Sequence, residues 1–348
     1  MLKGKRRRFA ITGATGLLGS NLLFEIVKRN ISGLDKIEII ILGRGKNNLA
    51  IEQRIKDLMV NEGSSYLGLS KDEILDTPFL FKNVIRCVHL DLDKPDLGIS
   101  AEDYDYLKAS PIDIVFHVAA LTDFRSSEET IKALRRTNVM GTEGVLDLVS
   151  ALDVKQLCYV GSAYSCGKEK GEIRPDFINL KQEFRNPYEA TKLEAEMLVR
   201  MFSEEKGVPC KYFRSSTICG RLMENEIGFI NKFDVFYAWA AFFLRAKLKQ
   251  TGNLDGIYDR PALMEARIQY NERSGLNVVP ADYAAKVMYA VSTAEDGCGS
   301  YHLVNNCETL HGQYIPIMFE TLNIQGLKHV DSIPSDMNKL ERDRKSVV

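Results

Sequence analysis

Thr12-Gly13-Ala14-Thr15-Gly16-Leu17-Leu18-Gly19 decides the fold of this chain, because of what stands on either side of it. Phe9-Ala10-Ile11 before it is a short β-rich run, and Leu17 to Lys28 after it carries Leu18, Leu22 and Ile26 at helical spacing. A Gly-x-x-Gly-x-x-Gly turn joining a strand to a helix is the setting in which a glycine pattern points to dinucleotide binding. Gly13 permits the tight turn, Gly16 lets the backbone approach a pyrophosphate, and Gly19 lets the helix pack closely. Thr15 and Leu17 flank the helix N-terminus, which faces the phosphates. These five residues are the first candidate cofactor contacts.

Outward from the turn, β-rich runs alternate with helical stretches. Ile37 to Leu42 is a continuous apolar run of the kind found in central parallel strands, and further strands are read at Val84–Leu90, Ile112–Val118, Leu157–Gly161 and Cys210–Arg214. Helices are expected at Thr137–Ala151 and Pro187–Glu205. The order predicts an α/β fold, a Rossmann-like doubly wound parallel sheet with a smaller C-terminal substrate-binding region. Residues 1–215 form the dinucleotide-binding domain, with an insertion at 45–83 in which Ala50–Asn61 reads as a helix and the rest as irregular. Residues 216–348 read mainly as the substrate-binding region, with 276–310 returning to the first domain.

The 348 residues are 45% hydrophobic with a formal net charge of −1, so no global field favours nucleic acid or an anionic membrane, and the Lys3 to Arg8 cluster is a local, solvated one. Seven scattered cysteines without a Cys-x-x-Cys pair suit reduced thiols and a cytoplasmic location. Five dispersed histidines give no metal motif, so no metal is expected. The start of the chain lacks the apolar stretch of a signal peptide, and no apolar run approaches the ~18 residues of a membrane span. The longest, Val235 to Leu244, reads as core or an oligomer contact, with a wall for a greasy substrate as the sharper alternative.

At the end of the second strand stands Leu42-Gly43-Arg44-Gly45-Lys46, without the carboxylate that NAD-preferring proteins place on the ribose 2′-hydroxyl. Arg44 in that place favours NADP(H), with Lys46 available to share the 2′-phosphate charge; a merely solvated Arg44 is the alternative. Asp91 and Leu92 close the third strand, and Ala119 and Ala120 follow the fourth, small enough for the backbone to pass beside a cofactor. Ser215, past the sixth strand, completes the cofactor-facing set. His117 reads as a satisfied strand-end histidine rather than a catalyst.

Tyr188 and Lys192 stand at i and i+4 in Asn186-Pro187-Tyr188-Glu189-Ala190-Thr191-Lys192, so on a helix an ammonium shares a face with a phenol and stabilises its phenolate. Ser162, just past the fifth strand, offers a hydroxyl to the substrate oxygen that Tyr188 would protonate. Together with the glycine turn, these residues in this order resemble the extended short-chain dehydrogenase/reductase superfamily over about residues 8 to 310. Asn138 in Arg136-Thr137-Asn138-Val139 matches the helix asparagine with which those enzymes brace the site, and Val279-Pro280-Ala281-Asp282-Tyr283-Ala284-Ala285 resembles a late segment of their fold. The catalytic set implied is Ser162, Tyr188, Lys192 and Asn138, with Tyr188 and Lys192 also touching the cofactor.

Within the superfamily, Arg44 to Met59, His117 to Phe124, Ser162-Ala163-Tyr164 and Phe184 to Glu196 resemble the male-sterility-type branch. That branch includes fatty acyl-CoA reductases and the thioester reductase domains of carboxylic acid reductases and nonribosomal peptide synthetases. Gly161-Ser162 replaces the usual Ser-Thr, Phe213-Arg214-Ser215-Ser216 lacks a proline common there, and the chain ends in a charged tail, Lys339 to Lys345, where relatives often continue. The resemblance implies NADPH-dependent reduction of an acyl thioester, on coenzyme A or an acyl carrier protein, to an aldehyde or onward to an alcohol. The rivals are a sugar-nucleotide epimerase or dehydratase, a hydroxysteroid-like dehydrogenase, and a non-catalytic NADP(H) sensor. Sensors commonly lack the Tyr and Lys that this chain keeps.

Overall fold

The computed structural model describes residues 6–77, 80–233, 237–295 and 297–343. Parts of the stretches singled out above fall outside the described residues: 3–5 of the basic cluster, 78–79 of the insertion, 235–236 of the apolar run and 344–345 of the tail.

Seven strands form one sheet, and every neighbouring pair is parallel. In chain order the first six are β1 (Arg7–Thr12), β2 (Ile37–Gly43), β3 (Ile85–His89), β4 (Ile114–His117), β5 (Leu157–Ser162) and β6 (Cys210–Ser215). Across the sheet the order is the strand Gly299–Leu303, then β6, β5, β4, β1, β2 and β3. Strand order reverses between β1 and β4, the switch point at which open α/β sheets bind ligands. Register pairs Thr12 with His117 and Ser162 with Ser215, which aligns the carboxyl ends along one edge.

The alternation of strand side chains divides the core into two layers. Phe9, Ile11, Ile39, Ile41 and Phe116 meet α1 (Leu17–Arg29) and the helix Ala281–Thr293. Ala10, Ile40, Leu42, Val115 and Leu157 face the other way, with Val145 and Val149 of the helix Gly141–Ala151 and Ala195 and Val199 of the helix Pro187–Lys206. Burial on both faces is why these strands read as unbroken apolar runs. The doubly wound parallel sheet expected from the sequence is therefore what forms.

Two helical regions differ from expectation. After α2 (Ile51–Leu58), the insertion is a string of short helical pieces, Met59–Gly63, Ser64–Leu67, Lys71–Leu75 and Leu80–Val84, instead of irregular chain. Its anchors Ile55, Met59, Tyr66, Ile74 and Leu80 are buried in the α1 layer, but too sparsely spaced to register as a periodic face. The helix expected from Thr137 is preceded by one starting at Glu128, capped by the Ser127 side chain on the Thr130 N–H, and Arg135–Met140 between them is a π-helical turn. Such turns recur at functional sites, and this one carries Asn138.

The chain separates into two compact units, Met1–Ile230 with Val279–Val304, and Asn231–Val278 with Asn305–Val348. In the second, strand Ala262–Gln269 runs parallel to Ile324–Val330 over a core that includes Phe243, Met264, Ile268, Phe319 and Ile324. Within the apolar run, Phe243 stacks on Trp239 and meets Phe319 edge-on at 4.9 Å between centroids, so that part of the run builds the core of this unit. Among the described residues no helix is long and apolar enough to cross a membrane, and all seven cysteines are free.

Candidate active site

The glycine turn is shaped by steric necessity. Gly13 has φ +76°, and a Cβ there would lie 2.7 Å from the Ala119 nitrogen; a Cβ on Gly19 would lie 2.2 Å from the Gly13 oxygen. The Gly16 N–H closes the turn on the Gly13 carbonyl at 2.9 Å. α1 then begins with no side-chain cap and no acidic residue in its first turn, which leaves its leading N–H groups, from Leu17 on, to an anion. The turn fits a pyrophosphate against backbone.

Two arginines stand beside it. The Arg54 guanidinium reaches from α2 to Thr15 Oγ1 at 2.9 Å and to the Arg44 carbonyl at 2.6 Å. Arg44 itself, half exposed, donates to Asp91 at 2.7 Å and to Asp93 at 3.2 Å. Burial, with Arg44 adding to it, lowers the Arg54 pKa, as expected of a cation enclosed near a second one. Arg54 escapes a sequence reading because it lies on the insertion helix; the available signal was its place among Ile51, Ile55 and Leu58, the three residues that seat α2. Leu92 packs beside Gly141, where a Cβ would meet its own Cβ at 2.8 Å, and Ala119 lies over Gly13, followed by the half-buried Ala120.

Behind the turn, a buried hydrogen-bonded track links β1, β4 and the π-helical turn. Thr12 Oγ1 accepts the N–H groups of Val118 and Ala119, so its proton goes to His117 Nδ1 at 2.8 Å. His117 Nε2–H then donates to Thr142 Oγ1 at 3.0 Å, and Thr142 donates to the Asn138 carbonyl at 2.6 Å. Burial first, and Lys192 second, push the His117 pKa down to about 3, so the ring is a neutral brace. Asn138 uses its side chain elsewhere. Its Oδ1 accepts the Leu121 N–H at 2.7 Å, and its Nδ2 donates to the Leu121 carbonyl at 3.0 Å and to Thr191 Oγ1 at 3.2 Å.

The reactive side chains converge from β5 and the helix Pro187–Lys206. Asn186 caps that helix through the Glu189 N–H, and Pro187 sets its first turn, so Tyr188 sits at the very start and Lys192 one turn on. The Thr122 and Ser162 hydroxyls lie near enough to the Tyr188 phenol to lower its pKa. Burial raises its pKa above the ordinary phenol value, and those two hydroxyls pull it partly back. Lys192 is buried; its Nζ donates to the Val160 carbonyl at 2.8 Å and lies 4.8 Å from the centre of the Tyr159 ring. Burial brings the Lys192 pKa down to about 8, partly opposed by Glu196. The lowered Tyr188 pKa expected from Lys192 is thus not the state of this structure, where burial of the phenol is the largest effect.

Glu196, one further turn along, is fully buried against Arg214 at 2.9 Å. A Cβ on Gly161 would come within 3.1 Å of its carboxylate, which accounts for glycine rather than serine before Ser162. Ser162 closes β5, accepts the Tyr164 N–H on Oγ, and pairs in register with Ser215 of β6. The structure therefore brings Ser162 to Tyr188 and ties Asn138 to the same helix through Thr191. It joins Arg44 to Asp91 at the edge near β3, and adds Thr122 and Arg54, which the sequence reading lacked.

A match to the NAD-binding family described as male sterility protein spans residues 11–288. A linear gramicidin synthase of Brevibacillus parabrevis is 27% identical over 304 residues, covering 85% of this chain and 5% of that protein. A carboxylic acid reductase of Segniliparus rugosus is 25% identical over 311 residues, 86% of this chain and 24% of that protein. The chain thus spans only a small part of the length of these two relatives. The terminal R domain from the myxalamid PKS-NRPS biosynthetic pathway superposes with a TM-score of 0.68 at 24% identity, over 94% of this chain and 72% of that one, a likeness of fold. With a match over most of its length, the chain belongs to the male sterility protein family, the NAD-binding branch of the extended short-chain dehydrogenase/reductases that its motifs resemble.

Proposed function

We propose that this chain reduces an acyl thioester, carried on coenzyme A or on an acyl carrier protein, to an aldehyde with NADPH. The observation that carries the reading is Tyr188 at the start of the helix Pro187–Lys206, near Ser162 at the end of β5, with Lys192 buried one helical turn away. That is an acid beside a hydrogen-bond donor, which a cofactor sensor has no use for. The Arg44 and Arg54 pair beside Thr15, and the absence of a carboxylate at the end of β2, support NADPH over NADH and weigh against an epimerase that retains NAD. The relative named as a carboxylic acid reductase supports an acyl group as the thing reduced.

When bound, NADPH supplies the hydride that the carbonyl carbon accepts. Tyr188 gives its proton to the carbonyl oxygen as charge develops there, and Ser162 donates a hydrogen bond to the same oxygen. Lys192 holds the nicotinamide ribose and balances the phenolate. The hemithioacetal collapses to aldehyde and free thiol, and a second round on the aldehyde would give the alcohol. Residues 216–348 take the substrate-binding role in this reading, and the free thiols suit a cytoplasmic protein. The test is NADPH oxidation against a panel of acyl-CoA and carrier-bound thioesters with products identified. Aldehyde formed in step with NADPH consumed supports the reading; no turnover of any thioester, with turnover of a sugar nucleotide or hydroxysteroid, replaces it.

A further inference from the structure

Tyr159 stands between Cys158 and Val160 on β5, and strand alternation turns its ring to the face that packs on the helix Pro187–Lys206. The ring is 1% exposed and runs beneath Lys192, whose Nζ lies 4.8 Å from its centre; the Tyr159 hydroxyl reaches the Lys192 carbonyl at 3.5 Å. Among the described residues the buried ammonium has one hydrogen-bond acceptor, the neutral Val160 carbonyl. The charges around it do little more. Glu196 on the same helix favours the ammonium from a distance, but its carboxylate is bonded to Arg214 of β6 at 2.9 Å and to Arg200 at 2.7 Å. Tyr188, one turn back, is a neutral phenol, and His117 of β4 is a neutral ring. An ammonium out of water on a single carbonyl tends to give up its proton. The attraction in contact with it is the π face of Tyr159, well inside the ~6 Å at which a ring stabilises a cation, and such contacts are strongest where both are desolvated.

We propose that Tyr159 is a positioning residue for the reaction, its ring the seat that keeps Lys192 an ammonium. The assignment rests on the reading in which that ammonium holds the nicotinamide ribose and balances the Tyr188 phenolate. Both tasks need the proton, because a neutral amine carries no charge and one donor fewer. The seat depends on the π electrons of the ring and not on its hydroxyl. Phenylalanine at 159 should therefore serve as well as tyrosine, whereas a ring stripped of π charge, or an aliphatic side chain, should not.

The test compares wild type with Tyr159→Phe, Tyr159→Leu and a protein carrying trifluorophenylalanine at 159, which keeps the shape of the ring and so guards against a misfolded Tyr159→Leu. Lys192 is titrated by NMR of its side-chain carbons without cofactor, with Lys192→Met to assign the signal, and kcat/KM is followed against pH with a thioester that the wild type reduces. Wild type and Tyr159→Phe should titrate together at about pH 8. Weakening the ring disfavours the ammonium, so the trifluoro and leucine proteins should lose the proton about one pH unit lower. The alkaline fall of kcat/KM should move with the titration, while at about pH 6, where every variant holds its ammonium, kcat stays within about twofold. An unmoved Lys192 titration in the trifluoro protein overturns the proposal, as does a loss of kcat equal at all pH values, which would put the effect in packing. A titration that shifts beside an unmoved kcat/KM profile supports the seat and defeats the catalytic role of Lys192 beneath it. Should no thioester be turned over, the thioester reading fails and the NMR titration alone decides the seat.

Discussion

Arg54 donates to Thr15 Oγ1 at 2.9 Å, which ties the insertion helix to the glycine turn. Arg54 also bonds the Arg44 carbonyl at 2.6 Å, while the Arg44 guanidinium itself lies on Asp91 and Asp93. Arg44→Ala and Arg54→Ala should each weaken NADPH by ~10–100-fold, the range for a lost charge-assisted contact, and NADH by much less. Binding titrations with both cofactors check this. Equal losses for NADH and NADPH would mean the pair braces the turn without reading a 2′-phosphate.

Asn138 satisfies both polar groups of Leu121 while bonding Thr191. Asn138→Ala strands these buried groups and should cost about 2–4 kcal/mol of stability, more than an ordinary surface change. Turnover should fall with it, because Asn138 also bonds Thr191, whose hydroxyl holds the Tyr188 carbonyl. Denaturant melting and kcat measured on the same preparation decide the matter; a variant as stable as wild type would mean that water replaces the amide.

The pH dependence of catalysis should belong to Lys192 rather than to Tyr188. Burial holds Lys192 down to about 8 and Tyr188 above its ordinary value, so the ammonium is the first of the two to lose its proton as pH rises. In the proposed mechanism its loss removes the donor to the nicotinamide ribose, and kcat/KM should therefore fall above about pH 8. A profile flat to about pH 10, near the ordinary lysine value, would contradict this.

His117 makes an opposite, structural prediction at acid pH. Its folded-state pKa is about 3 against 6.5 for an ordinary histidine, so the unfolded chain binds the extra proton between those values. Stability tied to this residue is then complete above 6.5 and is lost as pH falls toward 3. Comparing the acid unfolding of wild type with His117→Asn checks it: the variant should be less stable at neutral pH, and its stability should change less with pH across that window. Identical pH slopes would remove His117 from the account.

How much of this was legible in the sequence follows the range of the forces involved. The Gly13–Gly19 turn, the continuous apolar strands and the four-residue spacing of Tyr188 and Lys192 are local signals, and they located the sheet and the pair. Ser162 was readable because it closes an apolar strand. Thr122 and Arg54 were not, because each matters only through a partner far away in the chain, Tyr188 and Thr15. The π-helical turn at Asn138 and the short helices after α2 were hidden for a related reason. Tertiary packing of a few anchors such as Tyr66 and Ile74, and not helical periodicity, holds the insertion in place.

The central claim, thioester reduction with Tyr188 as proton donor, is tested most directly by comparing wild type with Tyr188→Phe on one acyl thioester at saturating NADPH, with aldehyde, thiol and NADPH all followed. The account predicts aldehyde and thiol formed one for one with NADPH consumed by the wild type. It predicts unchanged NADPH affinity in Tyr188→Phe and a kcat lower by ~100-fold or more, the scale of a lost general acid. Wild-type turnover by Tyr188→Phe would contradict it.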